Sequence, residues 1–397
     1  MTIALVNGRR PRGRPGGFES VVLQGTSGST VPSTAQQATV VYLHGSGGAK
    51  QTFGATFEGF PASSGSYPEN CVYDTMDRLS FAVRTLPGET ASNNVAYGYI
   101  EPWDNNGTYP GGANRQAYWM GYTSNDFSGL RLYKERHLDM MLAWLEGAYP
   151  NFSKTARCLT GQSMGAWGTL SYGLRRPTKF AALYPNMPRW RYGLDGSGGG
   201  GNNVRIPHWP TGVTVYAPAL SPAMAATDGT GNAADKLDSI SYVENTANAV
   251  PWIGWGIGRN DGYTPFQDHI DAVAALRAAG RGFAFSWDNG GHDGVAFQSI
   301  PSSYYFGLFK TNEGYPIYTN NSGDQDPTVD LTGGINLGFQ HRNVSESAGA
   351  WSCEVRNLLG ARTVDIKPKS IIFTASVAAQ TVSVPSGSAW VSVSFTA

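Results

Sequence analysis

The hydrophobic positions of the chain follow two patterns, and the change between them comes near residue 302. Before that point, short apolar runs typical of buried strands alternate with segments of helical periodicity. The apolar runs lie at residues 20–23, 38–43, 95–100, 156–159, 180–184, 213–217, 251–258 and 282–287. Strands that are buried on both faces and alternate with helices are typical of a parallel sheet. We therefore predict an α/β fold with a mostly parallel sheet and helices on both of its faces.

Three segments between these runs have the spacing of amphipathic helices. Leucine and methionine recur at helical intervals over 128–149, where Gly147 and Pro150 provide the stop signals. Shorter helices are predicted over 166–175 and 264–278. The regular alternation fails over 188–249, which contains four successive glycines at 198–201. We interpret 188–249 as an insertion over the carboxyl ends of the strands.

After residue 302 the helical periodicity is lost and short alternating runs follow one another at intervals of about ten residues, as in a β-sandwich. These runs lie at 334–339, 350–355, 363–366, 371–375, 381–384 and 390–395. The pattern predicts a small C-terminal all-β, sandwich-like domain. We divide the chain into a flexible lead-in at 1–19, a catalytic domain at 20–322 and a β-domain at 323–397.

Composition and charge exclude several classes of protein. The 397 residues have a net charge of zero and only 15% of them are charged, so no nucleic acid is expected as a partner. No apolar run is long enough to span a membrane. The three cysteines, Cys71, Cys158 and Cys353, have no metal-ligand spacing and leave room for at most one disulfide. The first residues, 1–20, carry four arginines without the apolar segment of a signal peptide.

One short motif carries candidate chemistry. Gly161-Gln162-Ser163-Met164-Gly165 stands between a predicted strand and a predicted helix. A Gly-x-Ser-x-Gly in that context places the serine on a sharp turn with its hydroxyl exposed, as a nucleophile requires. The motif by itself is weak evidence, because the chain contains 51 glycines.

A serine nucleophile needs a base and an acidic residue that orients the base. Of the six histidines (His44, His137, His208, His269, His292 and His341), only His292 lies in a glycine-rich loop directly after a late strand. Asp261 follows another strong apolar run, whereas Asp288 and Asp293 are too close to His292 along the chain and are interpreted as turn formers. The order Ser163, Asp261, His292 is that of an α/β-hydrolase.

A second glycine-rich loop, His44-Gly45-Ser46-Gly47-Gly48, follows the strand predicted at 38–43. Its backbone N–H groups could form an oxyanion hole, and a simple glycine turn is an equally good interpretation of the residues alone. We assign no cofactor and no metal to the chain.

These motifs resemble a group of α/β-hydrolase esterases that includes feruloyl esterases, esterase D and polyhydroxybutyrate depolymerases. The matching segments are 43–48, 160–169, 177–182, 258–265 and 290–292. The resemblance implies Ser163 as nucleophile, Asp261 as orienting acid and His292 as base. It also implies an oxyanion hole made by the backbone N–H groups of Ser46 and Met164. Ala166 departs from the pattern, because many members have a second glycine there.

The substrate is less well specified by the sequence. We expect a carboxylic ester hydrolase that acts on a polymer or on its side-chain esters, with Trp190 and Trp255 as weak candidates for substrate contact. The low charge and the polar composition favour an extracellular enzyme. Two alternatives remain open, namely a peptidase on the same scaffold and a surface-binding or virion-type protein with a vestigial hydrolase domain. The oligomeric state is not predicted.

Overall fold

A computed structural model describes residues 153–191, 238–292 and 305–397, with residue 306 excepted. It also describes the backbone of seven shorter segments and isolated helical positions between 135 and 147. The seven segments are 22–23, 38–43, 78–84, 95–101, 122–123, 129–131 and 225–226. The predicted lead-in, the predicted strand at 213–217 and most of the predicted insertion lie outside these residues.

The described part of the chain contains eighteen strands. Before the serine motif they are β1 (Val22–Leu23), β2 (Ala38–Leu43), β3 (Arg78–Arg84), β4 (Val95–Glu101), β5 (Tyr122–Thr123), β6 (Gly129–Arg131) and β7 (Arg157–Gln162). Then follow β8 (Ala182–Asn186), β9 (Ala225–Ala226), β10 (Trp252–Gly258), β11 (Phe283–Asp288), β12 (Tyr315–Thr319) and β13 (Gly333–Ile335). The last five are β14 (Phe339–Glu346), β15 (Ala350–Asn357), β16 (Arg362–Lys369), β17 (Gln380–Val384) and β18 (Val391–Thr396).

The central sheet has nine strands in the order β1-β3-β4-β2-β7-β8-β10-β11-β13. All neighbouring pairs are parallel except β3 with β4 and β11 with β13. The mostly parallel sheet confirms the predicted fold class. Because β7, β10 and β11 run in the same direction, the loops that follow them emerge at one edge of the sheet.

Three helices are fully described, namely α1 (Met164–Gly173), α2 (Ser239–Asn245) and α3 (Phe266–Ala278). Every residue of α1 except Trp167 is buried, and the helix packs against β2, β7 and β8. Small residues make this close approach feasible. A Cβ added at Gly173 would lie 2.5 Å from Leu183 Cδ2 of β8. The helices α2 and α3 pack against each other.

The C-terminal part forms two three-stranded antiparallel sheets, β12-β16-β17 and β14-β15-β18. A separate apolar core lies within them and includes Trp351, Val355, Ile366 and Phe395. The two parts of the chain interleave around residue 323. The sandwich strand β12 comes before that residue, whereas β13 comes after it and forms the last strand of the central sheet.

The predicted strand at 334–339 is two strands that belong to different sheets. The backbone turns between them, because Asn336 has φ 54° and Gly338 has φ 86°. These left-handed conformations suit asparagine and glycine and interrupt a β-strand. The single strand predicted there is therefore wrong.

The strand predicted at 371–375 is also absent from this described region. The Glu346 carboxylate accepts the backbone N–H of Ile371 at 3.1 Å, and Ser370 Oγ accepts that of Phe373 at 2.7 Å. These N–H groups are thus used by side chains instead of a neighbouring strand. The helix predicted from residue 128 needs a similar correction, because 129–131 form β6 and the described helical positions begin at 135.

Among the described residues, no helix is long and apolar enough to cross a lipid bilayer.

Candidate active site

Ser163 occupies a strained turn between β7 and α1. Its backbone has φ 53° and ψ −116°, a conformation that side-chain-bearing residues rarely adopt. Two hydrogen bonds hold the turn, from Ser163 N to Asn186 O at 2.9 Å and from Trp167 N to Ser163 O at 3.1 Å. The turn therefore lies between the end of β8 and the first turn of α1, as the Gly-x-Ser-x-Gly motif predicts.

Gly161 explains why the motif begins with glycine. A Cβ at this position would lie 2.4 Å from Gly165 O and 2.7 Å from Leu43 O, both of which are backbone atoms. Neither can move away as a side chain could. The glycine thus lets the strand, the helix and the end of β2 approach one another around the serine.

His292 lies between Ser163 and Asp261. Its Nε2 is 2.7 Å from Ser163 Oγ, and its Nδ1 is 2.6 Å from Asp261 Oδ2. A carboxylate beside Nδ1 favours the tautomer with the proton on that nitrogen, which leaves the Nε2 lone pair free to accept the serine proton. The three side chains come from the ends of β7, β10 and β11.

The loops after β10 and β11 are joined by backbone hydrogen bonds. Arg259 N donates to Asp288 O at 2.7 Å, and Asn260 N donates to Gly290 O at 2.9 Å. The side chain of Asn260 adds a bond from Nδ2 to Asn289 O at 2.7 Å. This connection fixes the position of the histidine loop relative to the aspartate loop.

Gly258 makes the close contact between these loops feasible. A Cβ there would lie 2.3 Å from Gly290 O and 2.4 Å from Gly291 O. Asp288 stabilises the turn from the other side, because its Oδ1 accepts the backbone N–H of Gly290 at 2.7 Å. Asp288 is therefore the turn former that the sequence predicted, and Asp293 lies outside the described residues.

Asp261 is charged although its side chain is fully buried. Burial alone would raise the pKa of this carboxyl group. Hydrogen bonds from His292 and from the backbone N–H of Tyr263 outweigh that effect and hold the Asp261 pKa below its ordinary value. Its Oδ1 accepts from Tyr263 N at 2.8 Å and from Thr264 N at 3.1 Å. A buried anion next to Nδ1 can stabilise the imidazolium that forms when the serine loses its proton.

The oxyanion hole predicted from the sequence is described in part. Met164 is the first residue of α1, so its N–H has no acceptor within the helix and lies next to Ser163 in the chain. A helix N-terminus also favours negative charge nearby. Ser46, the other predicted donor, lies outside the described residues.

The prediction that Trp190 and Trp255 contact substrate is corrected. Both side chains have no exposed surface, and their rings pack edge to face at 5.1 Å in the central core. Trp255 Nε1 donates to Nδ1 of the buried His269 at 3.1 Å. These tryptophans stabilise the hydrolase core and offer no surface to a ligand.

Two further histidines are described, and neither lies at this site. His269 in α3 and His341 in β14 are buried, whereas His44, His137 and His208 lie outside the described residues. Within the described ranges, no cluster of three or more His, Cys, Asp or Glu side chains could hold a metal ion. A cavity of about 420 Å³ between the central sheet and the sandwich is lined by Trp287, Gly333 and Arg362, among others, and by none of the three predicted catalytic residues.

Sequence reasoning missed one residue next to the site. The ring of Tyr263 lies 4.7 Å from that of His292 between centroids, and 69% of the Tyr263 surface is exposed. The one signal in the sequence was its place two residues after Asp261, in the same loop.

Residues 105–234 match the family model described as "Putative esterase", a segment that includes Ser163 and ends before Asp261. None of the curated proteins compared with the chain matches it.

Several solved structures are similar at low identity. The fluorophosphonate-binding serine hydrolase FphF of Staphylococcus aureus is 16% identical with a TM-score of 0.41, over 71% of this chain and 86% of FphF. The S-formylglutathione hydrolase FrmB of Staphylococcus aureus is 16% identical with a TM-score of 0.42, over 71% of this chain and 87% of FrmB. A ferulic acid esterase is 17% identical with a TM-score of 0.35, over 64% of this chain and 78% of that enzyme. Because these TM-scores are below 0.5, the fold assignment rests on the strand order and the serine turn.

The mostly parallel sheet, the strained serine between β7 and α1 and the esterase family match agree with one another. The described sheet has the α/β-hydrolase fold, and the family match over residues 105–234 indicates a serine hydrolase.

Proposed function

We propose that the protein hydrolyses carboxylic esters with Ser163 as nucleophile, His292 as general base and acid, and Asp261 as the orienting anion. One observation carries this assignment. A continuous hydrogen-bonded chain runs from a buried carboxylate through an imidazole to a serine hydroxyl on a strained turn, with separations of 2.6 and 2.7 Å.

The reaction proceeds in two steps of acyl transfer. His292 Nε2 takes the proton of Ser163 as Oγ attacks the ester carbonyl, and the oxygen of the tetrahedral intermediate accepts hydrogen bonds from the N–H groups of Met164 and Ser46. His292 then protonates the leaving alcohol, and the acyl group stays on Ser163. A water molecule, deprotonated by His292, then attacks the acyl carbon. The bond between that carbon and Ser163 Oγ breaks, His292 returns the proton to Oγ, and the acid is released.

We further propose that the natural substrate is a polymer or an ester on a polymer side chain and that the enzyme acts outside the cell. The support is compositional, namely the 15% of charged residues and the abundance of glycine in a chain with zero net charge.

The test is active-site labelling of the full chain with a fluorophosphonate, followed by assays of short-chain esters beside amides with the same acyl group. We expect wild-type protein to be labelled on Ser163 and to hydrolyse the esters. Ser163→Ala should lose both properties and keep its fold by circular dichroism. Loss of labelling should coincide with a rate decrease of about 10⁴-fold or more.

Two results would contradict the proposal. Wild-type protein that resists labelling would favour the vestigial domain, and faster cleavage of amides than of esters would favour a peptidase. Ser171→Ala is the matched control, because Ser171 is a buried serine within α1 and is distant along the helix from the strained turn.

A further inference from the structure

Tyr263 stands beside His292 with most of its side chain open to solvent. The two rings are tilted by 54° with centroids 4.7 Å apart, and 69% of the tyrosine surface is exposed. A single exposed aromatic residue on a protein surface needs no explanation by itself. This one is informative because the ring it contacts is the proposed catalytic base.

The position of Tyr263 is fixed by the same turn that holds Asp261. Its backbone N–H donates to Asp261 Oδ1 at 2.8 Å, and α3 begins three residues later at Phe266. The carboxylate that orients the imidazole through Oδ2 therefore also anchors the backbone of the tyrosine through Oδ1. The turn fixes the backbone of Tyr263 next to the histidine loop, and the ring lies against that of His292.

The chemistry of ester cleavage places one half of the substrate on this side. His292 must deliver a proton to the oxygen of the leaving alcohol, so that oxygen has to come within hydrogen-bonding distance of Nε2. In the proposed mechanism the carbonyl oxygen accepts the N–H of Met164, which places that oxygen on the other side, toward the N-terminus of α1. The alcohol half of the ester is consequently the part that lies against the imidazole, where the ring of Tyr263 borders it.

We propose that Tyr263 is the binding platform for the alcohol half of the substrate and that this half presents a flat ring face. An exposed aromatic ring contributes most binding free energy when its partner has an extended apolar face, such as the C–H face of a sugar or an aryl ring. A sugar alcohol and an aryl alcohol both present such a face, and esters of the two alcohols distinguish them. The proposal rests on the proposed function of Ser163 and gives it a substrate class.

The experiment compares three acetate esters that differ only in the alcohol. Ethyl acetate has no ring, benzyl acetate has an aryl ring, and a methyl glucoside acetylated at its 6-hydroxyl has a sugar ring. We would measure kcat and KM for wild type, Tyr263→Ala and Tyr263→Phe in the full chain. Ile372→Ala is the matched control, because Ile372 is an exposed apolar residue of the C-terminal part that is 52% exposed.

We expect Tyr263→Ala to lower kcat/KM about tenfold for at least one ring-bearing ester, mainly through KM, and by less than about threefold for ethyl acetate. Tyr263→Phe should keep the preference for that ester, and the control should match wild type with all three. A larger loss with the glucoside ester identifies a sugar alcohol, and a larger loss with benzyl acetate identifies an aryl alcohol.

Equal losses with all three esters, together with a shifted pH profile of kcat, would overturn the proposal, because Tyr263 would then act only by positioning His292. No loss with any ester would overturn it as well. The rate of fluorophosphonate labelling separates these results from failure of the proposed function. Labelled wild-type protein with no preference among alcohols contradicts only the role of Tyr263, whereas unlabelled wild-type protein contradicts the role of Ser163.

Discussion

The two oxygens of the Asp261 carboxylate perform separate tasks. Oδ2 contacts the imidazole of His292, whereas Oδ1 accepts two backbone N–H groups and closes the turn that leads into α3. An asparagine can keep an oxygen on the turn while it presents an NH₂ group to Nδ1. The proposed catalytic task and the structural task can therefore be separated by two substitutions at one position.

We predict that Asp261→Asn lowers kcat for a short-chain ester by about 10³–10⁴-fold, because the amide stabilises the wrong tautomer of His292 and leaves the imidazolium without a counter-charge. Its melting temperature should remain close to that of wild type. Asp261→Ala should lose the same activity and also destabilise the fold by about 1–3 kcal/mol, because the turn N–H groups lose their acceptor. Steady-state kinetics of both variants measure the loss of kcat, and thermal unfolding measures the change in stability. An Asp261→Asn enzyme within tenfold of wild-type kcat would show that His292 does not depend on this anion.

At the scale of residues, the sequence identified the three side chains that the structure brings together, and it misjudged the residues around them. Ser163, Asp261 and His292 could be predicted because each follows an apolar strand in an order with few alternatives, although their catalytic roles stay a prediction. Trp190 and Trp255 were misjudged because a tryptophan near a strand end can point into the core or out of it, and sequence spacing does not distinguish the two. Tyr263 was missed because its place in the loop does not show whether its ring lies exposed beside His292 or is buried.

At the scale of elements, the site depends on two loops that touch through their backbones. The loop after β10 carries Asp261 and the loop after β11 carries His292. Gly258 lies where they meet, with carbonyl oxygens of Gly290 and Gly291 in the space that a Cβ would occupy. Four residues later, Gly262 has nothing within 4 Å of the corresponding position. The chain thus supplies a test glycine and a control glycine in one loop.

We predict that Gly258→Ala lowers kcat/KM by about 10²-fold or more, because the added methyl group displaces the histidine loop by a distance on the order of 1 Å. Gly262→Ala should remain within a few-fold of wild type. Both variants should be assayed with a short-chain ester and by fluorophosphonate labelling. Equal effects of the two alanines would mean that the contact between the loops can relax without disturbing His292.

Strands and helices were predicted well wherever the local pattern of apolar residues decides the secondary structure. The strands β2, β10 and β11 are mostly apolar, and α3 has a clear helical period with proline at its start. The strand predicted at 371–375 failed because side chains from Glu346 and Ser370 take its backbone N–H groups, and these contacts depend on the tertiary fold. The helix α2 was missed because its sequence lies in a segment rich in turn-forming residues.

At the scale of the whole molecule, each of the two apolar cores has a buried histidine at or beside it. His269 lies against Phe285 of the central sheet, and His341 lies against Phe309 beside the sandwich. Burial lowers the pKa of each imidazole to about 3, from an ordinary value of 6.5. In the unfolded chain both would take up a proton at the ordinary value.

We predict a loss of stability on mild acidification. The contribution of each histidine is complete above pH 6.5 and declines as the pH falls from 6.5 toward 3, by up to about 1.4 kcal/mol per pH unit for each group. The lowered pKa of Asp261 has the usual carboxylate sign, so its contribution is lost only below about pH 4 and does not overlap most of this range. Urea unfolding of wild type and His341→Asn at pH 7.5, 6.5, 5.5 and 4.5 tests the idea. The variant should be less stable at neutral pH and have a shallower slope, and parallel curves would contradict the assignment.

The overall class of the molecule followed from the alternation of strands and helices, whereas its connectivity did not. No local sequence pattern predicts that β13 joins the central sheet, because a strand of three residues is too short to show an alternation of apolar and polar positions. The domain boundary at residue 323 therefore stays a prediction. The strand before it, β12, belongs to the sandwich, and the strand after it, β13, belongs to the central sheet.

This interleaving has a consequence for how such a protein can be inherited or engineered. Arg259, in the loop that carries Asp261, donates to the carbonyl oxygens of Pro327 at 2.6 Å and Asp330 at 2.8 Å, and Trp287 Nε1 donates to the same Asp330 carbonyl at 2.9 Å. Recombination at residue 323 would remove these acceptors together with the outermost strand of the sheet. A junction beyond Leu337 would keep these acceptors but would separate β12 from β16, its partner in the sandwich. We therefore expect the hydrolase and the sandwich to be inherited as one gene segment.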